Sequence, residues 1–377
     1  HHLLETPAVD DGRRPTFLSS LYRKLTSPPP EALPVEPEPK EEPEPQSLVR
    51  EKLIELQTSL PADLNIGKEA FEQFLRNLAL CGEPIAFELL GVAGRVSVQF
   101  VAGQPDASQV RRQLQAYFPE ATFQPKTDNL QQAWEACPGG EMLVHEFGLA
   151  REFMLPLASG KLDPFIGMVG ALSELSPGDL GLFQILFQPV QEPWAENILR
   201  SVTNADGKPF FVNQPQLAGA AENKIRLPLY AAVVRIAAKS ATYERALQIA
   251  CDLAGSLRVF SQPQGNELIP LENEETYPDD EHIADVFRRQ SRRSGMLLNS
   301  DELIGFVHLP SSAVRSPAMA RAGDTTKAAP AIVRNATGLL LGNNVHFDES
   351  VPVRLTTEQR VRHTHIIGAT GTGKSTL

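Results

Sequence analysis

Long hydrophobic runs are missing from this chain of 377 residues: no stretch of about 18 apolar residues occurs, so it carries no membrane span of the usual length. Cysteine is scarce. The three present, Cys81, Cys137 and Cys251, are widely spaced and show no C-x-x-C pattern, which argues against a disulfide framework or a zinc site and for reduced thiols. A signal peptide is not visible in these residues, and the first residue is His1 rather than methionine. Positive charge is in deficit, with 35 Lys and Arg against 46 Asp and Glu and a net charge of −11. Such a balance weighs against a broad, sequence-independent nucleic-acid surface, although a local basic channel stays compatible with it.

What is present suits two or three packed domains: 42% hydrophobic and 21% charged residues. The acidity is concentrated. Between Glu31 and Gln46 six glutamates face one lysine, and eight prolines lie between Pro28 and Pro45. Residues 1–47 therefore read as a disordered Pro/Glu-rich arm, too poor in apolar side chains to offset the entropy of ordering. Within it Phe17, Leu18, Leu21, Tyr22 and Leu25 share one face of a short helix, either a docking segment or a transient turn in a linker.

Periodicity predicts helices over Leu48–Leu60 and Lys68–Leu80, a β-hairpin over Pro84–Leu90 and Arg95–Val101, a helix over Asp106–Phe118 and a strand over Ala121–Gln124. Hairpin, helix and returning strand make half of a ferredoxin-like sandwich. The grammar then repeats. Strands are expected at Glu141–Leu149, Glu152–Leu157, Asp179–Val190, Leu229–Lys239 and Glu267–Leu271, with helices at Asp163–Leu175, around Trp194–Val202 and at Ala241–Phe260. Residues 48–315 are thus read as an α+β region of two ferredoxin-like units, 48–137 and 138–275. Trp194, Phe183 and Arg235 read as core and surface residues rather than a nucleic-acid platform, which would need clustered basic and aromatic groups.

Arg288, Arg289, Arg292 and Arg293 form the densest basic cluster, at the end of a helix starting near Asp280. Phosphate or subunit contact is one reading. Favourable placement of cations at a helix C-terminus capped by Gly295 is the preferred one. Leu297–Pro310 opens with an Asn/Ser helix cap, and residues 316–330 read as a linker.

From residue 331 the pattern restarts as strands, at Gly338–Gly342, Val351–Leu355 and His363–Ile367. The last of them runs straight into Gly368-Ala-Thr-Gly-Thr-Gly-Lys374-Ser375-Thr376-Leu377, which matches the phosphate-binding loop G-x-x-x-x-G-K-[ST]. In such a loop glycines let backbone N–H groups approach phosphate oxygens. Here Gly368, Gly371 and Gly373 play that part, while Lys374 faces the terminal phosphates and Ser375 a magnesium ion. Thr376 can contact an α-phosphate; Thr370 and Thr372 shape the loop. ATP and Mg are the expected cofactors. The carboxylates and arginine finger that hydrolysis also requires cannot be named within these residues.

The run Arg360-Val-Arg-His-Thr-His-Ile-Ile followed by the loop resembles the opening of the motor domain in the HerA/FtsK superfamily, especially its type IV secretion and conjugation branch. Asp163-Pro164 through Gln184 to Trp194, Lys224–Arg235, and Leu298–Leu303 with His308-Leu-Pro310 resemble that branch too. The resemblance implies a RecA-like α/β P-loop domain beginning near residue 331, preceded by an accessory α+β region. It further implies a ring, hexameric in this family, that moves DNA or nucleoprotein, with a secretion, nuclease or membrane partner, working in the cytoplasm and anchored, if at all, through something outside this chain. Two alternatives stand beside it. One is a non-enzymatic docking or oligomerisation module of a DNA-processing, phage-defence or secretion complex. The other, ranked lower because more than three hundred residues precede the loop, is an ABC-type ATPase.

Overall fold

The structure is a computed structural model that describes residues 52–60, 67–159, 163–190, 194–204, 209, 216–263, 265–273, 277–319, 329–334, 337–346 and 349–362. The chain forms two compact units, His1–Arg321 and Ala322–Leu377. The acidic arm, the strand expected at His363–Ile367 and the phosphate-binding loop lie outside the described residues.

The first unit is α+β, with a nine-stranded sheet whose strand pairs are antiparallel. Its first half runs β1 (Leu53–Ser59), α1 (Lys68–Asn77), β2 (Ile85–Val92), β3 (Arg95–Gly103), α2 (Gln104–Tyr117) and β4 (Thr122–Lys126), in sheet order β4-β1-β3-β2. A short helix α3 (Asn129–Ala136) leads to β5 (Glu141–Leu149). The second half repeats the plan with α4 (Pro164–Ser173), β6 (Leu180–Pro189), β7 (Leu229–Ser240), α7 (Tyr243–Ser256) and β8 (Leu268–Pro270), in order β6-β7-β5-β8. Both halves are β-α-β-β-α-β, and in both the first and third strands lie side by side at the centre. The halves meet where β2 pairs antiparallel with β6, so one is related to the other by an approximate two-fold axis.

One addition breaks that symmetry. β2 and β3 are joined by the two-residue turn Ala93-Gly94, whereas α5 (Trp194–Val202) and α6 (Gln216–Ile225) intervene between β6 and β7. The unit closes with α8 (Asp279–Arg288), β9 (Met296–Asn299), which pairs with the start of β7, and α9 (Ser300–Phe306).

Strand alternation sends Leu56, Phe87, Phe100, Phe183, Val234 and Ile236 to one face, where α1, α2, α4, α7 and α9 close the main core. Each fully buried phenylalanine there contributes on the order of 1.5–3 kcal/mol. Gly91 and Gly181 are register partners at the β2–β6 joint. A Cβ on either would stand 2.7 Å from a Leu172 methyl, so the pair of glycines is what lets α4 rest on the joint. The opposite face carries a smaller apolar core under α3 and α8, with Leu90, Leu130, Leu182 and Val286 buried.

Two sequence expectations are corrected. Of the stretch expected as a helix, Leu48–Leu60, the part from Leu53 to Ser59 is a strand, β1, because Leu56 belongs to one face and Glu55 and Gln57 to the other, all three buried. The apolar spacing imitated a helix only because the polar partners of β1 are remote in sequence. Glu152–Leu157 forms turns rather than a strand, with the Leu155 N–H bonded to the Glu152 carbonyl. Helices α3 and α6 had no counterpart in the sequence reading.

In the second unit α10 (Ala331–Arg334) precedes a hairpin of β10 (Leu339–His346) and β11 (Glu349–Leu355), the two strands expected there. A last helical turn, α11 (Thr357–Arg360), follows, its start fixed by reciprocal bonds between Thr356 and Gln359.

Candidate functional site

All the residues assigned to phosphate and magnesium binding, Gly368, Thr370, Gly371, Thr372, Gly373, Lys374, Ser375 and Thr376, lie outside the described residues. What the structure does place is β11 and α11, which deliver the chain to Arg362, six residues before Gly368.

The densest chemistry among the described residues lies on the second face of the first unit's sheet. Six strands each carry a polar residue in an otherwise apolar run, and register lines them up: Gln57 opposite Gln99, Gln99 opposite Glu88, Glu88 opposite Gln184, Gln184 opposite Arg235, and Arg235 opposite Glu146. All six are buried. Gln99 donates to Glu88 at 2.6 Å and Gln184 donates to the other Glu88 oxygen at 2.5 Å. Arg235 donates Nε–H to Gln184 at 2.5 Å, Nη2–H to the Gln290 carbonyl at 2.7 Å and Nη1–H to Glu146 at 3.5 Å.

Arg289 locks this row from above. It ends α8 in the left-handed region, with φ of 50°, and that backbone turn carries its side chain down to the sheet. Its Nε–H donates to Glu88 at 2.9 Å, its Nη1–H to the Phe287 carbonyl at 2.8 Å, and its Nη2–H to both Glu88 and Glu55. Glu55 also accepts N–H groups of Asn129 and Leu130 at the start of α3, where a helix favours negative charge.

The two carboxylates shift in opposite directions. Burial pushes Glu55 up, and the Arg289 charge only partly offsets it. Burial pushes Glu88 up too, but the Arg289 charge, with the hydrogen bonds that Arg289, Gln99 and Gln184 each donate to it, outweighs burial and holds Glu88 below its ordinary value. Burial likewise works against the Arg289 charge, yet the two glutamates keep its guanidinium protonated above the usual range. Fixed donors surround these oxygens. The arrangement positions strands and helices; a one-residue slip of any strand would throw its polar residue to the apolar face.

The arginine cluster therefore differs from its sequence reading. The helix is capped by Arg289 itself, not Gly295, whose φ of +71° serves the turn into β9. Arg289 is buried, Arg293 is half-buried with its side chain largely covered, Arg292 pairs with Glu281 and Asp285, and Arg288 stands 4.0 Å from Asp285. Beside them His282 is fully buried, stacked on Tyr277 with ring centroids 3.5 Å apart. Burial, then the charges of Arg293 and Arg235, lower its pKa to about 4, so the ring is neutral at ordinary pH. Tyr277 donates to Asp285 at 2.8 Å.

Two further polar pairs pin the edges of the main core. Lys224 of α6 meets Glu302 at 3.2 Å, both buried, and Glu302 also accepts the Leu157 and Asn299 N–H groups. His308 stacks on Phe165 at 4.1 Å and bridges the Ile304 carbonyl and Asp163, the residue that caps α4. No group of three or more His, Cys, Asp and Glu side chains among the described residues is placed to hold a metal ion, and no helix among them is long and apolar enough to cross a membrane.

No protein-family model matches the chain, and a search of curated proteins returned no match.

Proposed function

We propose that this chain is the N-terminal region of an ATP-dependent DNA-translocating motor of the HerA/FtsK type, ending at the phosphate-binding loop. One observation carries the reading: Gly368-Ala-Thr-Gly-Thr-Gly-Lys374-Ser375-Thr376 directly follows His363–Ile367, the stretch whose sequence is read as a strand, and a strand before the loop is the context such a loop requires. The donor set fits its ligand: three glycines for close backbone approach, one ammonium for phosphate charge, one hydroxyl for magnesium. ATP would supply the phosphoryl group, and Lys374 and Ser375 would hold its phosphates and its metal. The hairpin β10–β11 would then belong to the start of a RecA-like domain, and the α+β unit would be the accessory region of a hexameric ring in the cytoplasm that acts on DNA, with a secretion, nuclease or membrane partner.

The test is titration of the 377-residue chain with a fluorescent ATP analogue and Mg. Lys374→Ala is expected to weaken binding at least tenfold, the order expected for losing a charged phosphate contact. Equal binding by both proteins would remove the basis for the reading. Hydrolysis is not expected of these 377 residues by themselves, because the catalytic carboxylates and arginine finger it requires cannot be named among them.

A second reading, a docking or oligomerisation module, is favoured by the second unit's surface. Leu339, Leu340 and Leu341 on β10 are 49%, 49% and 56% exposed, and a two-stranded hairpin is marginal without further strands or a partner.

A further inference from the structure

The sheet ends at β8, which pairs only with β5 among the described strands. At that end α7 does not close the core completely, and a groove of about 1000 Å³ runs beside it. Leu247, Cys251 and Ala254 of α7 form one wall; Phe147 of β5 with Leu268 and Pro270 of β8 forms the other. Tyr243, 50% exposed, continues the α7 stripe one turn earlier, and Leu247 and Cys251 are exposed with it. Positions 243, 247, 251 and 254 fall on one helical face and extend it over about 16 Å.

One stretch of the same chain has the complementary form. Phe17, Leu18, Leu21, Tyr22 and Leu25 share a helical face about 12 Å long, the kind of segment that such a groove accepts. Charge agrees. α7 exposes Glu244 and Asp252 and the groove wall exposes Glu267, against Arg258, while Arg245 is paired with Asp179. Residues 13–26 carry Arg13, Arg14, Arg23 and Lys24 and no acidic side chain. Reach agrees as well. β1 and β8 stand six strand spacings apart, about 29 Å at ~4.8 Å each. Residues 26–52 are rich in proline and, at about 3.1 Å per residue, can reach at most about 84 Å. Such a tether holds segment and groove at an effective concentration on the order of 1 mM.

We propose that the groove between α7 and β8 is the docking site of the chain's own N-terminal segment, residues 17–25, seated as an amphipathic helix with its apolar face on Leu247, Cys251 and Ala254. Arg23 and Lys24 then meet the acidic rim, and the Pro/Glu-rich stretch is the tether that permits seating and release. A helix this short is marginal in water, so the segment folds as it seats.

The experiment follows alkylation of Cys251 by N-ethylmaleimide in the whole chain by peptide mass spectrometry, with the buried Cys81 and Cys137 as internal references. Leu21→Asp with Leu25→Asp in the arm is expected to speed alkylation at least fivefold, the ratio for a segment seated about four-fifths of the time. On the groove side Leu247→Gln keeps a good helix former at an exposed position. It should give the same acceleration in the parent and none when added to the arm variant. A peptide of residues 13–26 at about 1 mM, matching the tethered concentration, should restore at least half of the protection to the arm variant. The proposal is overturned if the arm variant and the parent react alike, if the two changes act independently, or if the peptide restores nothing. Protection that grows with protein concentration between about 1 and 100 µM would also overturn it, because a second copy's arm would then be the occupant.

Discussion

Replacing Arg289 by methionine removes the one cation that serves both Glu55 and Glu88. Two buried carboxylates then face each other across a gap filled by an apolar side chain. Breaking a buried pair costs about 3–5 kcal/mol, chiefly because the partner charge is left uncompensated. Taking ~4 kcal/mol and an m-value of ~3 kcal/mol/M, the urea midpoint should fall by roughly 1.3 M. The chain's two tryptophans, Trp134 and Trp194, both lie in the first unit, so fluorescence reports its unfolding. The deficit should also depend on pH. Without Arg289, burial raises the folded-state pKa of Glu88 above its unfolded value, so stability is lost as pH rises through the unfolded value toward the folded one. The variant should therefore lose more at pH 7 than at pH 4.5. Neutralising the partners as well, in Arg289→Met with Glu55→Gln and Glu88→Gln, should recover at least half of the loss. A single variant within about 1 kcal/mol of the parent, or a triple variant no better than the single, would refute the uncompensated-charge argument.

Glu302→Gln leaves the Lys224 ammonium buried without its counter-charge and should cost about 3–5 kcal/mol at pH 7. Burial already pushes Lys224 down, and losing Glu302 pushes it further, so the deficit should shrink toward pH 9 as the amine sheds its proton, measurable by urea unfolding at both values. At acid pH the informative variant is Asp163→Asn. Burial raises the Asp163 carboxyl, but the His308 bond and charge and the Phe165 N–H outweigh it and depress its pKa. Its stabilisation is thus complete above the unfolded value of about 4 and disappears as pH falls through the folded value. Thermal midpoints from pH 7 to 2 should show a shallower acid limb in Asp163→Asn than in the parent; parallel limbs would contradict the assignment.

That both faces of β2 and β6 are buried was not legible in the sequence, but the strands themselves were, because a short, mostly apolar run is a local signal, as in Ala86-Phe87-Glu88-Leu89 and Leu182-Phe183-Gln184-Ile185. So were helix starts with their own caps, such as Asp163 before α4 and Asn299 before α9. β1 was misread because its Glu55 and Gln57 look solvent-facing until Arg289, 234 residues away, and the Asn129 N–H are brought to them. Arg288 to Arg293 read as cations placed at a helix C-terminus, because the carboxylates that Arg289 and Arg293 meet, Glu55, Glu88 and Glu146, are remote in sequence.

The phosphate-binding loop is the opposite case. Its chemistry is written in eight consecutive residues, since backbone glycines, one lysine and one hydroxyl do the binding, and the functional proposal rests on them. The row of Gln57, Gln99, Glu88, Gln184, Arg235 and Glu146 exists only once six strands are in register. The groove exists only where α7 lies beside a β8 that pairs with β5. Both depend on pairings between segments remote in sequence, which no local periodicity encodes, and so only the tertiary structure decided them.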